Sequence, residues 1–367
     1  MEEHDRNIHG GNVYEVAKQY GIAEKELIDF SASINPLGMS GLLKELLAES
    51  LNDLVNYPDP ECNELRREVS QYLGVPKESV ITGNGASEII CLLFEVLKPL
   101  RVFMPAPCFS EYECAARSFD AQIAYYKLLE EEEFRLDVDS FTREIPDKTD
   151  TILICNPNNP TSRLIPGSEL LKLIAHAYER NISIIVDEAF IELTLGGNEN
   201  SIAGWLGHYP NLFIIRSLTK ILAVPGLRVG YALGEHSVIQ RMWLKKIKWS
   251  VNSLACHVGR VLNEDTAYFK ATSDWLSKEM DRFYKELTGI GGLKVFKPET
   301  NFILMKILDE RYTSISLREL LIRQGFLIRD ASNFKFLDDK YIRLAIKDKD
   351  TNDLLTAALS KLLHIPT

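Results

Sequence analysis

Between residues 151 and 233, short unbroken apolar runs alternate with longer amphipathic ones. Thr151-Ile152-Leu153-Ile154-Cys155 reads as a buried strand, and so do residues 182–186, 212–215 and 229–233. Residues 168–180 carry Leu170, Leu171, Leu173, Ile174 and Ala177 at helical spacing. A strand that is apolar at every position must be covered on both faces. Such strands separated by helices predict a mostly parallel sheet between helical layers, an α/β fold.

The last third of the chain changes character. Residues 256–287 read as one long helical region ending at Gly289-Ile290-Gly291-Gly292. Short strand candidates follow at 293–296, 302–307, 326–329 and 341–346, with a helix among them and another closing the chain. The first forty residues are turn-rich, as in His9-Gly10-Gly11-Asn12 and Asn35-Pro36-Leu37-Gly38. The expected division is an N-terminal arm (1–40) packing with the small domain, a large domain (41–255) and a small α+β domain (256–367).

A net charge of −10 argues against nucleic acid, which recruits clustered Lys and Arg. The densest basic run, Lys245-Lys246-Ile247-Lys248, reads as a solvated face of a helix continuing into Trp249. The six cysteines have no metal-type spacing, so no metal site is expected. Cys91 and Cys155 sit in apolar segments and read as core residues. A reducing cytoplasm is the simplest reading. No secretory signal and no apolar run of about 18 residues is visible, so a membrane is not an expected partner.

The chemistry-bearing residues follow the apolar runs. Thr82-Gly83-Asn84-Gly85-Ala86-Ser87 comes after Val80-Ile81 and opens a helix. Free N–H groups at such a start form an anion site, to which Ser87 adds a hydroxyl. Asp187 ends a strand at the sheet edge where ligands bind in parallel sheets. Asn159 stands in the rigid turn Asn156-Pro157-Asn158-Asn159-Pro160. Phe109 offers an aromatic face. Lys220 has Ser217 three positions earlier and Arg228 eight later. Its amine can form a Schiff base with a carbonyl, beside a serine and an arginine able to hold a phosphate. Each feature alone is more commonly a capped turn, a loop or an exposed lysine. Their order along the chain reads as a pyridoxal-phosphate site.

On these residues the chain resembles the fold-type I pyridoxal-phosphate enzymes, and specifically the class I/II aminotransferases of the histidinol-phosphate branch. The likeness covers nearly the whole chain. Within that branch His9-Gly10-Gly11-Asn12, the run from Asp29 to Gly38 and Trp249-Ser250-Val251-Asn252 look like the threonine-phosphate decarboxylase group. The resemblance implies a mostly parallel seven-stranded sheet. It implies that Lys220 carries the cofactor, Asp187 pairs with the pyridine nitrogen, Asn159 donates to the ring oxygen and Phe109 stacks on the ring. Gly85, Ala86, Ser87, Ser217 and Arg228 would cradle the cofactor phosphate. Tyr57 would reach the phosphate of a neighbouring subunit, implying a homodimer. Arg343 would clamp a substrate carboxylate and Arg329 a substrate phosphate, with His9, Asn35 and Asn159 as further substrate contacts.

Two departures stand out. Phe190 replaces the tyrosine of the usual Asp-x-x-Tyr, which removes a donor to the ring oxygen and leans towards decarboxylation. Ser162 stands where the common Asn-Pro-Thr-Gly turn has glycine. The activity implied is decarboxylation of a small phosphorylated amino acid, threonine phosphate or serine phosphate. An aminotransferase acting on histidinol phosphate is the rival, and a non-catalytic ligand sensor a remote one.

Overall fold

The apolar runs stack into one seven-stranded sheet in the computed structural model, which describes residues 10–363. Its order is Val80–Gly83, Gly230–Leu233, Leu212–Ser217, Ser183–Asp187, Thr151–Cys155, Arg101–Ala106 and Gln122–Lys127. Gly230–Leu233 runs antiparallel to both neighbours, and the other pairings from Leu212–Ser217 outward are parallel. Alternate residues enter two separate cores. Ile152, Ile154, Ile184, Val186, Leu212 and Ile214 face one. Leu153, Cys155, Ile185, Phe213 and Ile215 face the other. That two-sided burial is why these strands read as unbroken apolar runs rather than alternating ones.

A second sheet has the order Arg329–Asp330, Tyr341–Ala345, Phe302–Ile307 and Leu293–Val295, all antiparallel. The expected strand at 326–329 is split. Phe326–Leu327 pairs in parallel with Ile28–Asp29 of the arm, while Arg329 begins the edge strand of the second sheet. The arm also forms a helix, Val13–Tyr20, whose Val16 and Ala17 pack with Leu27, Ile322 and Leu327. The arm is thus more regular than its turn-rich sequence suggests.

Three other expectations are corrected. The long helix from 256 is three pieces: Ser253–His257, Arg260–Glu264 and Thr266–Thr288. Gly259 lies so close to the helix Asn63–Leu73 that a Cβ there would meet Glu68 Cβ at 2.9 Å. Asp265 then starts the last piece by accepting from the Tyr268 amide. The basic run is not one helical face either. The helix His236–Lys245 stops there, and Lys246 is buried, donating to Ser250 Oγ at 2.7 Å over the Trp243 ring. Cys91 is exposed, because position 91 falls outside the buried stripe of Ile89, Ile90, Leu92 and Leu93. No helix among the described residues is long and apolar enough to cross a membrane.

Ser162 explains itself. Its φ is +67°, a conformation glycine would adopt more cheaply. Its buried hydroxyl accepts from the amides of Glu299 and Thr300 at 2.9 and 3.0 Å, fastening the turn to the segment leading into Phe302–Ile307.

Beside the site the sheet carries a fully buried ion cluster. Arg216 donates to Glu188 at 2.8 Å, to Glu192, to Asn198 and to Ser201. Burial opposes its charge, but Glu192 and Glu188 outweigh this and hold the guanidinium above its ordinary range. Removing one member leaves buried charge without a partner. Arg216→Ala is therefore expected to lower unfolding free energy by about 3–5 kcal/mol, read from the urea midpoint and slope. An unchanged midpoint would mean that the cluster contributes nothing.

Candidate active site

Strand direction brings the chemistry together. Gly83, Ala106, Cys155, Asp187 and Ser217 end strands that run the same way, so the segments after them share one sheet edge. Gly230 begins the reversed strand opposite Ser217, which returns Arg228 to that edge. A cavity of about 220 Å³ opens there. Ala86, Ser87, Phe109, Asn159 and Asp187 line it, as do Ser217, Lys220, Arg228, Arg329 and Arg343.

One end carries groups that suit a phosphate. The helix Gly85–Leu97 starts without any side-chain cap, leaving its first N–H groups for a ligand. Gly85 has φ +79°, and a Cβ there would stand 2.5 Å from Arg228 Nη2. Only glycine lets that guanidinium lie across the turn. Ser217 Oγ and Thr219 Oγ1 sit 2.7 Å apart beside it, and Thr219 is a contributor that sequence reading missed. Backbone amides, hydroxyls and one arginine match a phosphate dianion.

The middle holds Lys220 and Asp187. Lys220 lies on a single helical turn, Leu218–Ile221, following the strand Leu212–Ser217. Burial, with Arg343 and Arg228 nearby, pulls its amine down to about 8. Its Nζ is 5.9 Å from the centre of the Phe190 ring. Asp187 is buried, and burial pushes its carboxyl up to about 6 despite two donors. Those donors are the Ala189 amide at 2.9 Å and the Tyr112 hydroxyl at 2.7 Å. Tyr112 is fully buried and was not singled out from sequence. The available signal was an aromatic three residues after Phe109, whose ring it meets edge-on at 5.6 Å.

The far wall is cationic. Arg343 donates to Asn159 Oδ1 and to the Ser31 carbonyl, while its buried Nε has no partner. With Asn159 Oδ1 so engaged, its Nδ2 remains the donor edge. Arg329 stands directly opposite Arg343 across the strand pair, and it donates to Asn333 Oδ1 at 2.8 Å. Burial and the neighbouring arginine pull Arg343 down to about 9, and burial pulls Arg329 down to about 10. Among the described residues neither makes a carboxylate ion pair.

Two candidates lie elsewhere, and a third is not among the described residues. Asn35 does not line the cavity. Its side chain donates to the Ile221 carbonyl, Tyr268 and Thr272, and its amide donates to the Lys220 carbonyl. It pins the lysine turn from behind. Tyr57 is 81% exposed, against Trp249 and away from this cavity. His9 falls outside the described residues.

A phosphate cradle, a buried lysine and a strand-end aspartate on this sheet are the parts of a pyridoxal-phosphate enzyme. The family model for aminotransferase class I and II matches residues 25–359, and the chain belongs to that family, whose cofactor is pyridoxal 5'-phosphate. The threonine-phosphate decarboxylase of Salmonella typhimurium is 36% identical over 359 residues, 97% of each chain. The solved L-threonine-O-3-phosphate decarboxylase of Porphyromonas gingivalis superposes with a TM-score of 0.82 at 25% identity, covering 92% of this chain and 99% of that one. The histidinol-phosphate aminotransferase of Clostridium acetobutylicum gives 0.85 at 33% identity, with the same coverage.

Two outcomes test these assignments. A base pulled down to about 8 becomes a free amine as pH rises through that value. Covalent uptake of pyridoxal phosphate by the apo-protein should therefore accelerate about tenfold per pH unit below 8 and level off above it. Borohydride labelling should vanish in Lys220→Ala, and a rate independent of pH would refute the assignment. Tyr112 opposes the upward shift of Asp187, so Tyr112→Phe raises that pKa further. Cofactor affinity needs the carboxylate and weakens as pH falls through this pKa. Its acid limb should move up by about one pH unit in fluorescence titrations; an unmoved limb would mean the hydroxyl does not act on Asp187.

Proposed function

We propose that the chain decarboxylates L-threonine O-3-phosphate to (R)-1-amino-2-propanol O-phosphate for the cobalamin nucleotide loop. L-serine O-phosphate, giving ethanolamine phosphate, is a close variant. The observation that carries this reading is the facing pair Arg343 and Arg329. Two buried guanidiniums side by side repel; Asp29 near Arg343 and Asp330 near Arg329 offset part of that cost, and anions bound between the two arginines would offset the rest. A phosphorylated amino acid brings a carboxylate and a phosphate together. The likeness to the Salmonella typhimurium threonine-phosphate decarboxylase, at 36% identity, supports the same reading.

The proposed roles draw on that geometry. Bound pyridoxal phosphate supplies the electron sink for the bond broken at Cα. Asp187 keeps a proton on the ring nitrogen, steadied by Tyr112 and Ala189. Arg343 holds the carboxylate and Arg329 the phosphate. Phe190 walls the cavity beside Lys220 without adding a hydroxyl, excluding water. Lys220, whose amine sits near neutrality, delivers a proton to Cα after CO2 leaves. Tyr57, exposed on its own subunit, reaches the neighbour's cofactor phosphate in a homodimer.

The second reading is transamination of histidinol phosphate, favoured by the Clostridium acetobutylicum likeness. Histidinol phosphate has no carboxylate, so Arg343 would serve only the amino acceptor. The purified holoenzyme is expected to release CO2 from threonine phosphate, measured by a coupled assay. Amine transfer from histidinol phosphate to 2-oxoglutarate without CO2 release would overturn the decarboxylase reading.

A further inference from the structure

We propose that Cys62 and Cys256 are a redox modification site, closing to a reversible disulfide when the protein meets a neutral hydroperoxide. The pair lies outside the active-site cavity. Cys62 precedes the helix Asn63–Leu73, and Cys256 sits in Ser253–His257. They are 194 residues apart in sequence, yet the Cys256 thiol donates to Cys62 Sγ at 2.9 Å. Both line a second cavity of about 300 Å³, rimmed by Asp53, Tyr57, Asp59 and His257. A small oxidant can enter it. The acidic rim disfavours anionic disulfides such as oxidised glutathione and leaves uncharged peroxide as the matching class.

The two thiols are unequal, as a nucleophile and its resolving partner should be. The hydrogen bond from Cys256 acts first, with Thr82 and Lys246 adding to it, and the Cys62 thiol is held below its usual range against burial. Cys155, by contrast, is pushed by burial to about 12 and is inert. The step balances. Cys62 gives up its proton and its thiolate attacks hydrogen peroxide; an S–O bond forms, the O–O bond breaks, and the leaving hydroxide takes up that proton as the first water. Cys256 sulfur then displaces the second oxygen as water, and its thiol proton goes with it. Two thiols lose two electrons, and one peroxide becomes two waters.

The bond would tie the segment carrying Tyr57 to the helix Ser253–His257. The proposal does not depend on which substrate the enzyme takes. Its test uses the wild-type holoenzyme, treated with hydrogen peroxide, alkylated under denaturing conditions and mapped by mass spectrometry. The expected result is a Cys62–Cys256 linked peptide that dithiothreitol releases. In Cys256→Ser, oxidation should halt at a Cys62 sulfenic acid that dimedone captures. Cys62 and Cys256 both remaining alkylatable after the exposed Cys91 has been consumed would overturn the proposal. So would over-oxidised Cys62 without linkage in the wild type, a measurement that stands even if the variant does not fold.

Discussion

Backbone pairing among Thr151–Cys155, Ser183–Asp187 and Leu212–Ser217 is the constraint from which the site follows. Asp187 lies across from Cys155 on one side and Ile215 on the other. A slip of one residue would turn Asp187 away from the cavity and swap both core faces at once. The apolar alternation between two cores makes that slip prohibitive. Stability and catalytic geometry are thus held by the same hydrogen-bonded ladders.

On that frame the cavity gathers far more positive than negative charge. Lys220, Arg228, Arg329 and Arg343 face it, and Asp187 is the carboxylate among its lining residues. Burial depresses Lys220, Arg329 and Arg343 and raises Asp187, so every one of these groups sits in a state that a bound ligand would relieve. Anionic cofactor and anionic substrate supply what the protein interior withholds. The facing arginines gain most from this, because their strands hold them together whether or not an anion is present. Pre-organised charge of this kind is the common source of binding and catalytic power.

The arrangement also links parts remote in sequence. Asn159 accepts from Arg343, joining the turn after Thr151–Cys155 of the large sheet to the second sheet. Asn35, Tyr268 and Thr272 hold the turn bearing Lys220 from behind. Asn35 illustrates how a residue that resembles a substrate contact can act one layer further out. Its amide is consumed by the protein, and the lysine's position depends on it.

Much of this was legible in the sequence. Apolar runs name buried strands because a two-sided sheet leaves no polar face, and residues immediately after such strands fall at one edge. That local rule put Asp187, Asn159, Ser217 and Lys220 at one edge, and all four line the cavity. The reversal of Gly230–Leu233 was not legible, since an apolar run carries no direction. Nor were the break at Gly259, the burial of Lys246 or the exposure of Cys91, which depend on what packs alongside. Tyr112 against Asp187, Arg329 against Arg343 and Cys62 against Cys256 are pairings across 75, 14 and 194 residues. Composition and spacing determine which chemistry a chain can hold; only the folded register decides which side chains meet, because contact across such distances is a property of the packed whole.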